Sequence, residues 1–168
     1  GQFDFRREGI PVVSVAAIFQ KDPQAMLAHR GTGVESFADL EDKTLFIAPF
    51  GQLTFWPWMA HSFGLEESQI RPYTFNPAPF LADENAAQQG YVTAEPFAIR
   101  REGGFDPVVL LMADAGYDSY STLIQTRVEL IEERPEIVQA FVDASILGWV
   151  DYLYGDPAPG NALILEDN

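Results

Sequence analysis

The chain has 168 residues, 47% of them hydrophobic, which is enough for one domain or two small lobes with a buried core. Its 25 acidic and 10 basic residues give a formal net charge of −15, which argues against nucleic acid and anionic lipid as partners because nothing compensates phosphate charge. The absence of cysteine excludes disulfides, thiolate metal sites and cysteine nucleophiles.

Short apolar runs alternate with helical patterns along the chain. In chain order they predict a buried strand at 10–19, a helical turn at 24–29, a short helix at 34–40, a strand at 43–49, a helix at 55–63 with Thr54 as its N-cap, a strand at 70–75, a helix at 83–89, and strands at 108–112 and 122–126. The helix pattern is clearest at 135–154, where Pro135 suits the first turn and Gly155 the stop. Strands separated by helices predict an α/β fold with mostly parallel strands.

The motifs of common enzyme sites are missing. His29 and His61 are the two histidines, without HExxH spacing, and neither a nucleophile elbow nor a Gly-rich phosphate loop is present. The sequence therefore predicts no catalytic residue, no metal site and no cofactor. No run approaches the ~20 apolar residues that span a bilayer, so no membrane span is predicted.

A candidate ligand site follows the strand at 43–49. Phe50, Gly51 and Gln52 are predicted to form a loop at the carboxyl end of that strand, where open α/β sheets bind ligands. No Lys or Arg lies between Lys43 and Arg71, although an ionised oxyanion is usually met by one. This favours a neutral or weakly cationic ligand.

Further candidates follow along the chain. Asn76, in a Pro-rich connector predicted to be non-helical, carries an amide that suits a heterocycle edge, and turn formation is the alternative. Glu95 is predicted to be held near extended geometry by Pro96, where it could accept two N–H bonds from an amino-substituted ring; an ordinary surface glutamate is the alternative. Tyr117 and Tyr120, on a Gly-containing loop, could stack on a ligand or simply pack.

Several segments carry a resemblance to a known family. They are FWPW at 55–58, RPYTFNPAPFLAD at 71–83, AAQQGYVTAEPF at 86–97 and AGYDSYSTLI at 115–124, extended by GIPVVSVAAIFQKDP at 9–23 and the helix region 134–157. Together they resemble the NMT1/THI5-like substrate-binding proteins of ABC importers, and within that group the branch that captures thiamine-precursor pyrimidines.

The resemblance implies a fold and a set of site residues. The fold is α/β, two-lobed and like a type II periplasmic binding protein, present here as a fragment or an incomplete chain that starts without Met and without a readable signal peptide. It implies that 1–32 belong to lobe 1, that 33–118 form lobe 2, and that 119–168 cross over and return to lobe 1. The ligand would contact Phe50, Gly51, Gln52, Trp56, Asn76, Glu95, Tyr117 and Tyr120.

The implied partners are a small heterocyclic ligand and an ABC permease, in a periplasmic or other extracytoplasmic location. A binding protein for another solute, such as a sulfonate or nitrate, is the first alternative. A pyrimidine-synthase enzyme is the second, although the relative that makes the thiamine pyrimidine depends on cysteines that this chain lacks.

Overall fold

The computed structural model describes Phe5 and residues 7–167, which divide into two compact units. The central unit is Phe19–Ser121, and the flanking unit combines Gly1–Ile18 with Thr122–Asn168. The predicted segments 1–32, 33–118 and 119–168 divide the chain at other positions, and their assignment to lobes stays a prediction.

The central unit is built on a five-stranded mixed sheet. Its strands are β2 (Gln24–Ala28), β3 (Thr44–Ile47), β4 (Ile70–Pro72), β5 (Ala86–Tyr91) and β6 (Val108–Leu111), in the spatial order β4-β3-β5-β2-β6. β3 runs parallel to β4 and β5, whereas β2 runs antiparallel to β5 and β6. The carboxyl ends of four strands and the amino end of β2 therefore lie along one edge of the sheet.

Four helices of the central unit follow these strands. They are α1 (Pro49–Leu53), α2 (Trp56–Phe63), α3 (Ala78–Leu81) and α4 (Glu95–Gly103), and 3-10 turns lie at Phe37–Leu40, Glu67–Gln69 and Met112–Ala115. Each of the four helices has a proline in its first turn, where the missing N–H costs nothing. Gly64 ends α2 and takes the left-handed conformation (φ 72°) that favours glycine.

Alternating side chains of the strands fill two cores, one on each face of the sheet. On one face Met26, Leu45 and Ile47 pack with Phe55 and Trp56. On the other face Ala25, Leu27 and Ala86 pack with Phe80 and Ile99, which come from α3 and α4. The central unit is thus a layer of strands between two layers of helices.

Two predicted helices are wrong and are strands at the middle of the sheet. Residues 24–29, predicted as a helical turn, form β2, and 83–89, predicted as a helix, contribute most of β5. Their Gln, Ala, Met and Leu residues favour helices locally, but burial on both faces of a sheet outweighs that preference.

Four local expectations near the sheet edge are also wrong. The predicted loop at 50–52 is helix α1, because Pro49 starts a turn at once, and Phe55 rather than Thr54 takes the N-cap position of α2. The connector predicted to be non-helical becomes α3 from Ala78. Glu95 is the first residue of α4 and not extended, since a proline at the next position fits the first turn of a helix.

The flanking unit has secondary structure but no deep core. β1 (Val12–Phe19) and β7 (Ser121–Arg127) form a two-stranded sheet, followed by α5 (Val128–Glu133), α6 (Pro135–Tyr154) and α7 (Ala158–Asp167). The predicted helix at 135–154 is confirmed. The strand predicted at 10–19 is confirmed as β1, but it is half-exposed along its whole length, and no described residue of this unit is buried.

We predict that stability rests on the core of the central unit. Phe80→Ala should lower the free energy of unfolding by about 3–5 kcal/mol, because Phe80 is 0% exposed and its removal leaves a cavity. Phe97→Ala makes the same chemical change at a position that is 64% exposed and should cost less than about 1 kcal/mol. Urea unfolding measures both variants, and equal losses would contradict this view of the core.

Candidate functional site

Polar and aromatic side chains gather where the strands of the central unit end. The polar edge, as we define it, consists of Asp22, Tyr73, Gln89, Tyr91, Glu95, Tyr117 and Ser119. Asp22 precedes β2, and the others end or follow strands whose carboxyl ends lie at the same side of the sheet. Ligands of open α/β sheets bind at such an edge.

Glu95 is held at the polar edge by the backbone of β5. One of its carboxylate oxygens, Oε2, accepts a hydrogen bond from the Tyr91 amide at 2.6 Å. A Cβ on Gly90 would lie 2.8 Å from the Glu95 Cβ, which is closer than real side chains approach. Glycine at position 90 therefore gives the Glu95 side chain the room to lie against the strand.

Tyr73, which directly follows β4, lies beside this carboxylate and is 4% exposed. Burial raises the pKa of Tyr73 to about 12, and the nearby Glu95 carboxylate, through its negative charge and its capacity to accept a hydrogen bond, acts in the same direction. The phenol therefore stays protonated at neutral pH. Phe75 has a left-handed backbone (φ 61°) and places its ring against Tyr73 with 5.2 Å between centroids.

Gln89 joins β5 to the start of α1. Its Oε1 accepts a hydrogen bond from the Ala48 amide at 2.6 Å, and a Cβ on Gly51 would lie 2.6 Å from the same oxygen. The close approach explains why glycine stands at position 51. The segment that carries Phe50 is thereby fixed against the central strand of the sheet.

Asp22 brings a second carboxylate to the polar edge and is 5% exposed. It accepts hydrogen bonds from the Gln24 amide at 2.9 Å, from the Gln24 side chain at 3.1 Å and from the Ser119 hydroxyl at 3.3 Å. Burial raises the pKa of Tyr91 and that of Tyr117, and the charge of Asp22 raises both further. The charge of Asp22 therefore favours the protonated form of both phenols.

The four predicted site residues that follow β3 differ in exposure and in contacts. Phe50 is 70% exposed on α1, Gly51 is buried, and Gln52 is half-buried with its amide donating to the Ile47 carbonyl at 3.2 Å. Trp56 is 5% exposed and belongs to the core. The structure thus presents Phe50 to solvent and uses Trp56 in packing.

The remaining predicted residues follow the other strand ends. Asn76 is exposed, and its Oδ1 accepts the Ala78 amide at 2.9 Å in a local turn at the start of α3. Tyr117 packs on Trp58 with 5.1 Å between ring centroids, and Tyr120 is 63% exposed. All eight predicted residues lie on segments that follow the carboxyl ends of β3, β4, β5 and β6, and the Glu95 carboxylate accepts a hydrogen bond from the Tyr91 amide.

Sequence reasoning missed several residues of this region: Asp22, Tyr73, Phe75, Gln88, Gln89 and Tyr91. The helix predicted at 83–89 concealed the two glutamines, because their alternation across a strand is visible only once 86–91 is taken as β5. A tyrosine directly after the short strand ending at Pro72 was the available signal for Tyr73.

The described residues offer neither a metal site nor a membrane-spanning helix. Within Phe5 and residues 7–167, no group of three or more His, Asp or Glu side chains could hold a metal ion. In the same part of the chain, the helices are too short or too polar to cross a membrane.

An open groove of about 590 Å³ lies in the flanking unit and is lined by residues that include Phe141, Trp149 and Ile164. It is almost wholly apolar and offers few groups to orient a polar ligand.

Comparison with known proteins gives one family and one fold. The profile of the family described as NMT1/THI5 like matches residues 4–159. The riboflavin-binding protein RibY of Chloroflexus aurantiacus is 30% identical over 154 residues, an alignment that covers 88% of this chain and 43% of RibY. The chain therefore spans less than half the length of this curated relative.

Solved structures show the same architecture. The periplasmic aliphatic sulphonate binding protein SsuA of Escherichia coli superposes with a TM-score of 0.60 at 15% identity, covering 82% of this chain and 45% of SsuA. An ABC uptake transporter substrate-binding protein of Streptococcus pneumoniae with bound histidine gives 0.59 at 20% identity, covering 91% of this chain and 64% of that protein. The predicted α/β fold of the type II periplasmic binding proteins is confirmed, for a chain that spans part of it.

The buried Tyr73 phenol predicts a loss of stability in alkali. Its pKa of about 12 in the folded protein lies above the ordinary 10.0, so the folded state favours the protonated phenol. This stabilisation is complete below pH 10.0 and is lost as the pH rises through about 12. Tyr73→Phe should show a smaller fall in unfolding free energy over that range than the unmodified chain.

Urea unfolding at a series of alkaline pH values tests the prediction. Tyr120→Phe, at a position 63% exposed in the same unit, is the matched control and should retain the fall of the unmodified chain. If Tyr73→Phe and the unmodified chain lose stability in parallel, the phenol is not buried against Glu95 as described.

Proposed function

The chain belongs to the NMT1/THI5-like family, and we propose that it captures a small nitrogen heterocycle for an ABC importer. In this proposal the polar edge of the central unit binds the ligand, a membrane permease receives it, and the ligand is not chemically changed. RibY, SsuA and the S. pneumoniae protein are all named as binding proteins, which supports a binding role over an enzymatic one.

The distribution of exposed apolar side chains carries the proposal. Eight large hydrophobic side chains of the central unit are prominently exposed, namely Phe50, Leu53, Phe75, Tyr91, Val92, Phe97, Val109 and Tyr120. All of them except Val109 lie at or after the carboxyl end of a strand, so the exposed apolar surface coincides with the polar edge. Apolar faces next to a few fixed polar groups are typical of small-molecule sites.

The charge of the polar edge favours a ligand that donates hydrogen bonds. Glu95 and Asp22 bring two carboxylates, and Lys21, the neighbouring cation, is already paired with Asp114. An oxyanion such as a sulfonate or nitrate would be repelled there, whereas the N–H groups of a flat heterocycle can donate to Glu95. Phe50 is one of several exposed aromatic rings that could cover such a ligand.

Two ligands fit this chemistry. We propose an aminopyrimidine of the thiamine-precursor type, whose amino N–H groups can donate to the Glu95 carboxylate. Riboflavin is the second candidate, because RibY is named as riboflavin-binding and the ring system of riboflavin is also flat with an N–H donor. Gly51, Gln52, Asn76, Tyr117 and Tyr120 are proposed to line the site beside Glu95, and the buried Trp56 to support it by packing.

The remaining parts of the proposal concern the whole protein. We propose that 33–118 form most of one lobe of a two-lobed receptor, that 1–32 and 119–168 contribute to the other, and that the receptor works outside the cytoplasm. SsuA is called periplasmic and the S. pneumoniae protein belongs to an uptake transporter, which supports this location.

Titration calorimetry of the 168-residue chain tests the ligand class. Formylaminopyrimidine, hydroxymethylpyrimidine, thiamine and riboflavin are the positive candidates, and an alkylsulfonate and nitrate are the alternatives. Heat of binding from at least one heterocycle and from neither anion is the expected result. Binding of an anion alone would overturn the proposal, and turnover of a bound pyrimidine would replace it with an enzymatic function.

We predict that Glu95→Gln weakens binding of the preferred heterocycle at least ~10-fold, or about 1.4 kcal/mol, because the variant keeps the shape and removes the anion. Glu84→Gln is the matched control: it removes the same charge from an exposed position before β5, at the opposite edge of the sheet, and should leave the Kd unchanged. Equal affinities of the Glu95 variant and the unmodified chain would remove Glu95 from the site.

A further inference from the structure

Gln89 places an amide at the point where β3 and β5 diverge. The two strands run parallel and pair as far as Phe46 and Gln88. After β3 the chain passes through α1 to Phe55, which packs in the core on one face of the sheet. After β5 it enters α4, whose Ile99 packs in the core on the other face. Neighbouring parallel strands whose connections leave on opposite faces open a crevice between their carboxyl ends, and ligands of open α/β sheets bind in such crevices.

A side chain binds a backbone amide on each side of this crevice. Oε1 of Gln89 accepts the amide of Ala48, which directly follows β3, and Oε2 of Glu95 accepts the amide of Tyr91, which ends β5, both at 2.6 Å. The Glu95 side chain lies against Gly90, on the face of the sheet opposite to the Gln89 side chain. Gln89 and Glu95 therefore border the crevice from its two sides.

The hydrogen bond to Ala48 determines the orientation of the Gln89 amide. A backbone N–H can only donate, so the amide oxygen and not the nitrogen must face Ala48. Gly51 leaves room for that oxygen, because a Cβ at this position would lie 2.6 Å from it. Within Phe5 and residues 7–167, Nε2 has no hydrogen-bond partner and is not enclosed by protein atoms. The half-buried side chain therefore keeps one donor in a fixed place where a ligand can reach it.

We propose that Gln89 determines which heterocycles the site accepts: its Nε2 donates to a ring nitrogen or carbonyl oxygen that lies next to the N–H group bound by Glu95. The inference rests on the proposed function, since the N–H group of the ligand is assigned to Glu95 there. Because Oε1 of Gln89 is already fixed by Ala48, binding would cost little side-chain entropy at this contact.

The proposal narrows the ligand to heterocycles that carry a donor and an acceptor side by side. An aminopyrimidine has an amino group beside a ring nitrogen, and the ring system of riboflavin has an N–H between two carbonyl groups. A ring with an amino group and no neighbouring acceptor would satisfy Glu95 and leave the Gln89 donor unpaired. A site built to donate a hydrogen bond discriminates against such an analogue.

Gln89→Glu tests the donor while keeping an oxygen for the Ala48 amide. The Kd for hydroxymethylpyrimidine or riboflavin, whichever binds more tightly, should weaken at least ~10-fold. Gln69→Glu is the matched control: this half-buried glutamine, just before β4 at the opposite edge of the sheet, also accepts a backbone amide, that of Glu66 at 2.8 Å. Its Nε2 donates to two backbone carbonyls, so the control should lower the melting temperature and leave the Kd unchanged. An unchanged Kd in Gln89→Glu, or an equal loss of affinity in both variants, overturns the proposal.

Ligand analogues separate the lost donor from the added charge. The compound 2-aminobenzyl alcohol keeps the amino and hydroxymethyl groups of hydroxymethylpyrimidine on a ring without nitrogen. For riboflavin the analogues are its 2-thio and 4-thio forms, in which a weakly accepting sulfur replaces one carbonyl oxygen. The unmodified chain should prefer the parent compound at least ~10-fold over an analogue, and Gln89→Glu should reduce that preference to about threefold or less. A preference that is the same in both chains overturns the role of Gln89.

NMR of the unmodified chain tests the contact without any variant. The side-chain ¹⁵N–¹H₂ signal of Gln89 should move downfield when hydroxymethylpyrimidine or riboflavin binds, whereas that of Gln69 should stay in place. Binding that leaves the Gln89 signal unmoved overturns this inference and leaves the proposed function standing, even if Gln89→Glu fails to fold. A chain that binds neither heterocycle overturns the proposed function, and the role of Gln89 with it.

Discussion

The antiparallel pairing of β2 with β5 is the interaction on which the central unit depends. It joins the two most buried strands, with Gln24 opposite Tyr91 at one end and Ala28 opposite Ala87 at the other. Because β2 alone runs against the other strands, this register places Asp22 beside the carboxyl ends of its neighbours. A shift of β2 by one residue would turn Leu27 and Met26 to the wrong cores.

Most strands and helices could be predicted from the sequence, but the buried strands β2 and β5 could not. The strands at 43–49, 70–75 and 108–112 and the helices at 55–63 and 135–154 are marked by apolar runs, prolines and terminal glycines, which are local signals. β2 and β5 are determined by burial between neighbours that lie far away along the chain, and no local pattern reports that burial. Their Ala- and Gln-rich segments were therefore predicted as helices.

The residues of the candidate site could also be predicted only in part. Glu95 and Phe50 could be predicted because a carboxylate before proline and an aromatic after a strand stand out in the sequence. Tyr73 could not, since its interest comes from burial near the charge of Glu95 and not from its residue type. Asp22 shows that a carboxylate can be nearly inaccessible without a cation when three donors surround it.

The prolines that begin α1, α2, α3 and α4 have a consequence for recognition. Each fixes one backbone angle where the chain leaves the sheet and enters the segments that carry Phe50, Asn76 and Glu95. The backbone of these segments is fixed before a ligand binds, so binding would require little ordering of loops. Binding at this surface would then depend on how well the shape of the ligand fits a rigid site. Molecules of similar composition but different shape would bind more weakly.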